Sequence, residues 1–241
     1  MPPYFIASLK KISTWLAPAC TLCHLPLDHQ AQYGVCSACQ SWFSPIQRCP
    51  RCGLPSVTAT DVCGHCLHSS PPWQRLFCIG DYQFPLSHTI HQLKYQRQFW
   101  QARHLAARLA QQIQHPAPLI TSVPLHWRRQ WYRGFNQSEL LAQGLAKQLG
   151  CHFSPTIFAR RLATPAQQSL TKQQREHNLK AAFQIKQLPE HSHIAIVDDV
   201  VTTGSTMRQL CYLLLEVGIE RIDIYCLCRT PEPSDPLIPR S

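Results

Sequence analysis

The sequence predicts an α/β protein: a mostly parallel sheet flanked by helices, preceded by a small metal module built from cysteines. Three observations carry this expectation. From residue 75 onward, apolar runs of strand length alternate with amphipathic runs of helix length. Before that point, four Cys-x-x-Cys pairs fall within residues 20–66. Near the end, the stretch IAIVDDVVTTGST (194–206) joins an apolar strand to a helix through two acids and a hydroxyl-rich turn.

Residues 1–19 form an N-terminal amphipathic extension. Phe5, Leu9, Ile12 and Leu16 recur at steps of four, three and four, one face of a short helix. Its polar side is only weakly basic, so docking on the protein's own surface is expected ahead of a membrane-surface role. Residues 20–67 are the cysteine module, and LHSSPPWQ (67–74) reads as a linker because of its adjacent prolines. The main domain spans 75–230. RLFCIGDYQF reads as strand or hairpin, and LSHTIHQLKYQ as a helix with Leu86, Ile90 and Leu93 on one side. FWQARHLAARLAQQI is a strong helix and LITSVPL a strand. FNQSELLAQGLAKQLG is a helix, capped by Asn136 or Ser138 and followed by Gly150. A polar stretch without a period covers 160–180. HIAIVDD is then a strand, STMRQLCYLLLEVG a helix closed by Gly218, and RIDIYCLCRT the last strand. Residues 231–241 are a Pro-rich tail.

Composition narrows the function classes. No run approaches eighteen apolar residues, so no transmembrane helix is expected. The N-terminal lysines follow the first apolar patch rather than preceding it, unlike a secretory leader, so a cytoplasmic location is expected. The formal charge is +10. Residues 94–186 hold fourteen Lys and Arg against Glu139 and Glu176, a local +12. Such a field favours phosphate-bearing partners, nucleotide or nucleic acid; a solvated basic surface is the alternative.

Thirteen cysteines without an export signal are not read as disulfides. A Cys-x-x-Cys turn presents two thiolates to one ion, and Zn²⁺ takes four in a tetrahedron. The pairs Cys20/Cys23, Cys36/Cys39, Cys49/Cys52 and Cys63/Cys66 therefore predict two structural Zn²⁺ sites in a double zinc ribbon. Sequential pairing, first with second and third with fourth, is preferred over an interleaved arrangement. Thioredoxin-like redox pairs would need a strand-to-helix context that this segment lacks. The module has too few apolar residues to fold alone, so metal binding supplies its folding energy. Each loaded site carries about −2, which lowers the folded charge to about +6. Cys78, Cys151, Cys211, Cys226 and Cys228 lack ligand spacing and are expected as small buried residues.

The stretch 194–206 has its own logic. At a strand-to-helix turn several backbone N–H groups lack partners, and the helix adds partial positive charge, so an anion fits there. Gly204 permits close approach, while Thr202, Thr203, Ser205 and Thr206 add hydroxyls. Asp198 and Asp199 sit at the strand's carboxyl end, where ligands bind in open α/β sheets. Carboxylates repel a phosphate, but they suit vicinal sugar hydroxyls or Mg²⁺ beside it. A sugar phosphate meets both demands.

This stretch resembles the phosphoribosyl-diphosphate (PRPP) motif of type I phosphoribosyltransferases over all thirteen positions. The resemblance implies that fold, with Asp198 and Asp199 under the ribose hydroxyls as the catalytic acids and residues 202–206 around the 5′-phosphate. Mg²⁺ would accompany PRPP. VPLHWRRQWYRGFNQSELLA supplies Arg128, Arg129 and Arg133 on a strand-to-loop edge, suited to a diphosphate leaving group. RRLATPAQQSLTKQQREHNLKAAF reads as a mobile hood carrying Arg161, Gln168, Arg175 and Asn178. Lys94 is a further candidate for diphosphate or DNA contact.

Together with the double zinc ribbon and the terminal CLCRT, these stretches resemble the ComF/GntX family over residues 20–230. That family is associated with natural competence, handling of incoming single-stranded DNA and use of DNA as a nutrient. Trp131 and Tyr132 stand where relatives often carry basic residues; they suit base stacking or packing on the domain. The resemblance implies a protein that handles single-stranded DNA beside DNA-uptake machinery, with a pocket for PRPP or a nucleotide. An active Mg²⁺-dependent phosphoribosyltransferase of unknown acceptor is the alternative, and a sensor of PRPP or nucleotide the third.

Overall fold

The computed structural model describes residues 18–56, 62–125, 131–160 and 182–230. The N-terminal extension up to residue 17, Arg128, Arg129, the hood with Arg161, Gln168, Arg175 and Asn178, and the tail lie outside the described residues. The chain divides into two compact units, residues 1–44 and 45–241. The second cysteine cluster is thus part of the larger unit.

In the first unit, antiparallel bridges Ala19–Pro26 and Gln32–Val35 lead into helix α1 (Ser37–Gln40). Its small core is Cys20, Val35 and Cys36, with Leu22, Leu27, Cys39 and Phe43 packed against them. A core this small cannot stabilise a fold by burial alone, in keeping with a metal-dependent module.

In the second unit, helix α2 (Gly64–His68) precedes the sheet. The strands are β1 (Arg75–Gly80), β2 (Leu119–Ser122), β3 (His152–Phe153), β6 (His193–Val201) and β7 (Arg221–Arg229), in the order β1-β7-β6-β2-β3. Every pairing in this sheet is parallel. β4 (Phe158–Arg160) and β5 (Phe183–Ile185) form a separate antiparallel pair on either side of the hood segment. Helices α3 (Leu86–Tyr95), α4 (Trp100–Ala110), α5 (Gln137–Leu149) and α6 (Ser205–Glu216) complete the described elements.

A parallel sheet is covered on both faces, which is why its central strand is apolar without alternation. Residues 194–197 are all fully buried. Ile194 and Ile196 pack with Ile222 and Ile224 against Met207, Leu210, Cys211 and Leu214 of α6. Burying each such aliphatic side chain contributes about 1.5–3 kcal/mol. Leu86, Ile90 and Leu93 of α3 are buried as their spacing predicted. Asn136 caps α5, its side chain accepting the Ser138 N–H at 3.1 Å. The same amide donates to the Val123 carbonyl at 3.0 Å, which ties the helix start to the end of β2.

Two details differ from expectation. The segment read as a linker is anchored: Trp73 is buried in the main core, and Gln74 N–H donates to the Ile222 carbonyl at 2.9 Å. A large indole outweighs the two prolines beside it. Among the lone cysteines, Cys78, Cys211, Cys226 and Cys228 are buried, but Cys151, just past the end of α5, is half-buried.

Candidate functional site

The acid pair lies near the carboxyl end of β6, and two helices reach it. Ser138, at the start of α5, donates from Oγ to Asp198 Oδ1 at 2.8 Å. The Asp199 N–H donates to the same oxygen at 2.9 Å. Lys94, in the last turn of α3, forms an ion pair with Asp199 Oδ2. Asp199 Oδ1 accepts the Val200 N–H at 2.9 Å. Burial, and then the charge of Asp199, push the Asp198 carboxyl up to about 7; Ser138, the Asp199 N–H and Lys94 oppose that rise. Asp199 is buried and Asp198 half-buried, and both are held in place, with Asp198 changing charge near neutrality.

The turn follows at once. Gly204 has φ +72°, the left-handed region that glycine enters without strain, and it is the N-cap of α6. Thr202 and Thr203 are exposed, and Ser205 and Thr206 half-buried. Thr203 Oγ1 donates to Ser205 Oγ at 3.1 Å and accepts the Ser205 N–H at 3.3 Å. Among the described residues, no other amide from 203 to 207 has an acceptor. The turn therefore keeps the donor-rich character of an anion site. Its carbonyls are engaged from behind, because Arg229 donates to those of Val201 and Thr202.

Arg133 lies beside this site. Its guanidinium donates to Gln137 Oε1 at 3.1 Å and to Tyr95 Oη at 3.3 Å, and it lies 5.0 Å from the Tyr95 ring centroid. Trp131 and Tyr132 are 83% and 87% exposed, so these rings do not pack on the domain. Tyr95 is 59% exposed. The Tyr95 ring and the Arg133 guanidinium thus share one surface, with Lys94 and Ser138 the neighbours in sequence of Tyr95 and Gln137.

The cysteines gather sequentially into two groups, Cys20/Cys23/Cys36/Cys39 and Cys49/Cys52/Cys63/Cys66, each with its sulfurs within 4.8 Å of one another. Four sulfurs about 2.3 Å from a shared zinc stand about 3.8 Å apart. Cys23–Cys36 and Cys52–Cys63 are separated by 3.7 Å and 3.6 Å, so both groups fit a tetrahedral ion. Backbone amides already point at the sulfurs: Cys36 N–H to Cys20 Sγ at 3.4 Å, and Cys63 N–H to Cys49 Sγ at 3.4 Å. For Cys20, burial favours the thiol, but the amides of Cys23, Cys36 and Leu22 outweigh it and hold the pKa down to about 6. For Cys39, burial followed by hydrogen bonding to its neighbours pushes it up to about 12. Two four-cysteine clusters can therefore hold zinc ions.

Motif reading located the acids, the turn and the cysteines. It named Lys94 and Arg133 only as phosphate contacts, and Ser138 only as a cap. Arg229 and Trp73 escaped it altogether. Arg229 ends an apolar strand and Trp73 follows two prolines, so neither carries a local signal.

Among the described residues no helix is long and apolar enough to cross a membrane. Residues 136–237 match the phosphoribosyl transferase domain family. The chain is 44% identical over 220 residues to the DNA utilization protein YhgH of Salmonella typhi, covering 88% of this chain and 96% of that one. It is 37% identical over 213 residues to Competence protein F of Haemophilus influenzae, covering 83% and 93%. A solved purine phosphoribosyltransferase from Pyrococcus horikoshii aligns at TM-score 0.34 with 16% identity, over 58% of this chain and 95% of that one. With a phosphoribosyltransferase-type motif on a parallel sheet, two four-cysteine clusters ahead of it and relatives alike over nearly their whole length, the chain belongs to the ComF family.

Proposed function

We propose that this protein serves DNA utilisation or competence in the cytoplasm, handling single-stranded DNA beside the uptake machinery. A PRPP- or nucleotide-binding pocket at the end of β6 would serve that role, with the two cysteine clusters loaded with structural zinc. One observation carries the pocket. A largely buried acid pair held by Ser138 and Lys94 runs directly into a turn with free amides and left-handed Gly204. Residues 202–206 take the phosphoryl group, and Asp198 and Asp199 take the ribose hydroxyls, with Mg²⁺ supplied alongside PRPP. Lys94 and Arg133, with Arg128, Arg129, Arg161 and Arg175, supply positive charge for diphosphate or DNA phosphates. The exposed rings of Trp131 and Tyr132, two and one residues before Arg133, and the Tyr95 ring against its guanidinium suit stacking of unpaired bases. The relatives' names, DNA utilization protein and Competence protein, support the same role.

A phosphoribosyl-transfer activity is the second reading, favoured by the Lys94 ammonium against the acid pair. Lys94 and Arg133 would stabilise charge on a departing diphosphate, a term realised mainly in the transition state.

Calorimetry with PRPP and Mg²⁺ on the wild type and Asp199→Asn, paired with single-stranded DNA titrations at two salt concentrations, tests both readings. PRPP binding is expected to be lost in the variant while DNA binding persists and weakens with salt. Replacing Trp131 and Tyr132 by Ala is expected to weaken DNA binding by about 1–3 kcal/mol per base no longer stacked. Absence of PRPP binding at every Mg²⁺ concentration rejects the pocket. Metal analysis far below two zincs per chain rejects the ribbons.

A further inference from the structure

The turn between Cys49 and Cys52 is bonded to the main domain through consecutive carbonyls. That of Pro50 accepts the Leu76 N–H at 2.9 Å, that of Arg51 the Trp73 Nε1–H at 2.7 Å, and that of Cys52 the Arg229 Nε–H at 3.0 Å. Gly53 follows with φ +73°, and a Cβ there would stand 2.4 Å from Leu76 Cδ2, so this turn lies tight on β1. Two of these donors also reach the phosphate turn. Arg229 is 7% exposed, and its other guanidinium end donates to the carbonyls of Val201, Thr202 and Thr230. Among the described residues its partners are all carbonyls, so this buried cation is spent on shaping backbone. Trp73 is 3% exposed, and its ring edge would lie 3.1 Å from a Cβ on Gly204. Arg208, in the first turn of α6, lies 5.7 Å from the Trp73 ring centroid.

We infer that Arg229 and Trp73 are positioning residues that let the second cysteine cluster, when it holds zinc, set the shape of the phosphate-binding turn. The inference rests on the reading of residues 202–206 as a phosphate site. Four thiolates drawn onto one ion fix the 49–52 backbone, and hence the directions of the Arg51 and Cys52 carbonyls. Those carbonyls orient the indole and the guanidinium. The indole supports the turn beneath Gly204, and the guanidinium holds the Val201 and Thr202 carbonyls back, leaving the amides toward the ligand. Loss of metal frees the knuckle and releases both props together. Coupling of this kind is reciprocal: a bound phosphate that needs the ordered turn must in turn retain the metal.

The test uses the full zinc-loaded chain, with Arg229→Gln and Trp73→Phe. Glutamine is too short to bridge both carbonyl sets, while phenylalanine keeps a ring under Gly204 but loses the bond to Arg51. Three quantities are measured: amide hydrogen exchange at Arg208 and Thr230, whose N–H groups donate to the Gly204 and Val201 carbonyls of the turn at 2.8 Å and 2.9 Å, PRPP affinity with Mg²⁺, and the rate of zinc transfer to a chromogenic chelator with and without PRPP. Exchange at Arg208 and Thr230 is expected to quicken roughly tenfold in either variant, the weight of one charge-assisted or buried hydrogen bond, while exchange at 194–197 stays unchanged. PRPP is expected to bind roughly tenfold more weakly in the variants. It should slow zinc release from the wild type and do so far less in the variants. Wild-type exchange at Arg208 and Thr230 should also quicken when the chelator has removed the metal. If exchange there ignores both substitutions and metal removal, the coupling is overturned. If PRPP fails to bind the wild type but exchange still responds, the phosphate reading falls and the mechanical link stands.

Discussion

The charge state of Asp198 makes a quantitative test of the site. Its carboxyl titrates near 3.8 in the unfolded chain and at about 7 in the folded protein, raised by burial and by Asp199. The unfolded chain therefore gives up this proton first, and between those values the native state binds more protons. Stability present below about pH 4 falls as pH rises, and the loss is complete above about pH 7. A shift of about three units corresponds to about 4 kcal/mol, of which about 2–3 kcal/mol falls between pH 5 and pH 8. Asp198→Asn keeps an oxygen for the Ser138 hydroxyl and the Asp199 N–H but has no proton to lose. Urea unfolding of both proteins at pH 5, 6, 7 and 8 is expected to show the variant gaining about 2–3 kcal/mol relative to the wild type across that range. The pH dependence of the cysteine clusters is common to both proteins and cancels in the difference. A difference flat to within about 0.5 kcal/mol would refute the claim that this carboxyl is desolvated beside a second charge.

Two further substitutions test how the site is built. Asn136→Ala removes both the cap on the Ser138 N–H and the bond to the Val123 carbonyl, so about 1–2 kcal/mol of stability is expected to be lost in urea unfolding. PRPP affinity is expected to fall with it, because Ser138 is placed by that cap. Gly204→Ala forces a side chain into a left-handed turn with its Cβ 3.1 Å from Trp73, at an expected cost of at least about 1 kcal/mol in the same measurement.

How much of this was legible in the sequence depended on the range of the interaction. The α/β order, the buried run at 194–197, the cap at Asn136 and the cysteine spacing are local patterns governed by periodicity, capping and ligand geometry. They appear where the residues predicted them. Ser138 and Asp198 are 60 residues apart, and Arg229 and Cys52 are 177 apart. No spacing rule spans such separations; strand order alone brings these residues together. Because β7 lies between β1 and β6, its last residue can reach both the cysteine turn and the turn at 202–206. A split into zinc module and catalytic-type domain follows naturally from composition, since cysteine content changes abruptly near residue 67. Compactness follows contacts instead, and it places Cys49, Cys52, Cys63 and Cys66 in the unit of residues 45–241 that contains the sheet.

That assignment bears on why a four-cysteine cluster lies against the backbone behind the 202–206 turn. A turn that presents free amides to an anion is unstable by itself, because the same amides are left without partners whenever the ligand is absent. Something behind the turn must hold it open. Here the support is two long side chains, Arg229 and Trp73, and each terminates on a carbonyl of the cysteine knuckle. A knuckle without metal has four crowded sulfurs, and burial, with the charges of Cys49 and Cys63 beside it, drives the Cys66 thiol up to about 12 against ionisation. A dication would reverse that penalty by taking the sulfurs as ligands. The ion's contribution would then extend past the cysteine turn to the backbone behind residues 202–206.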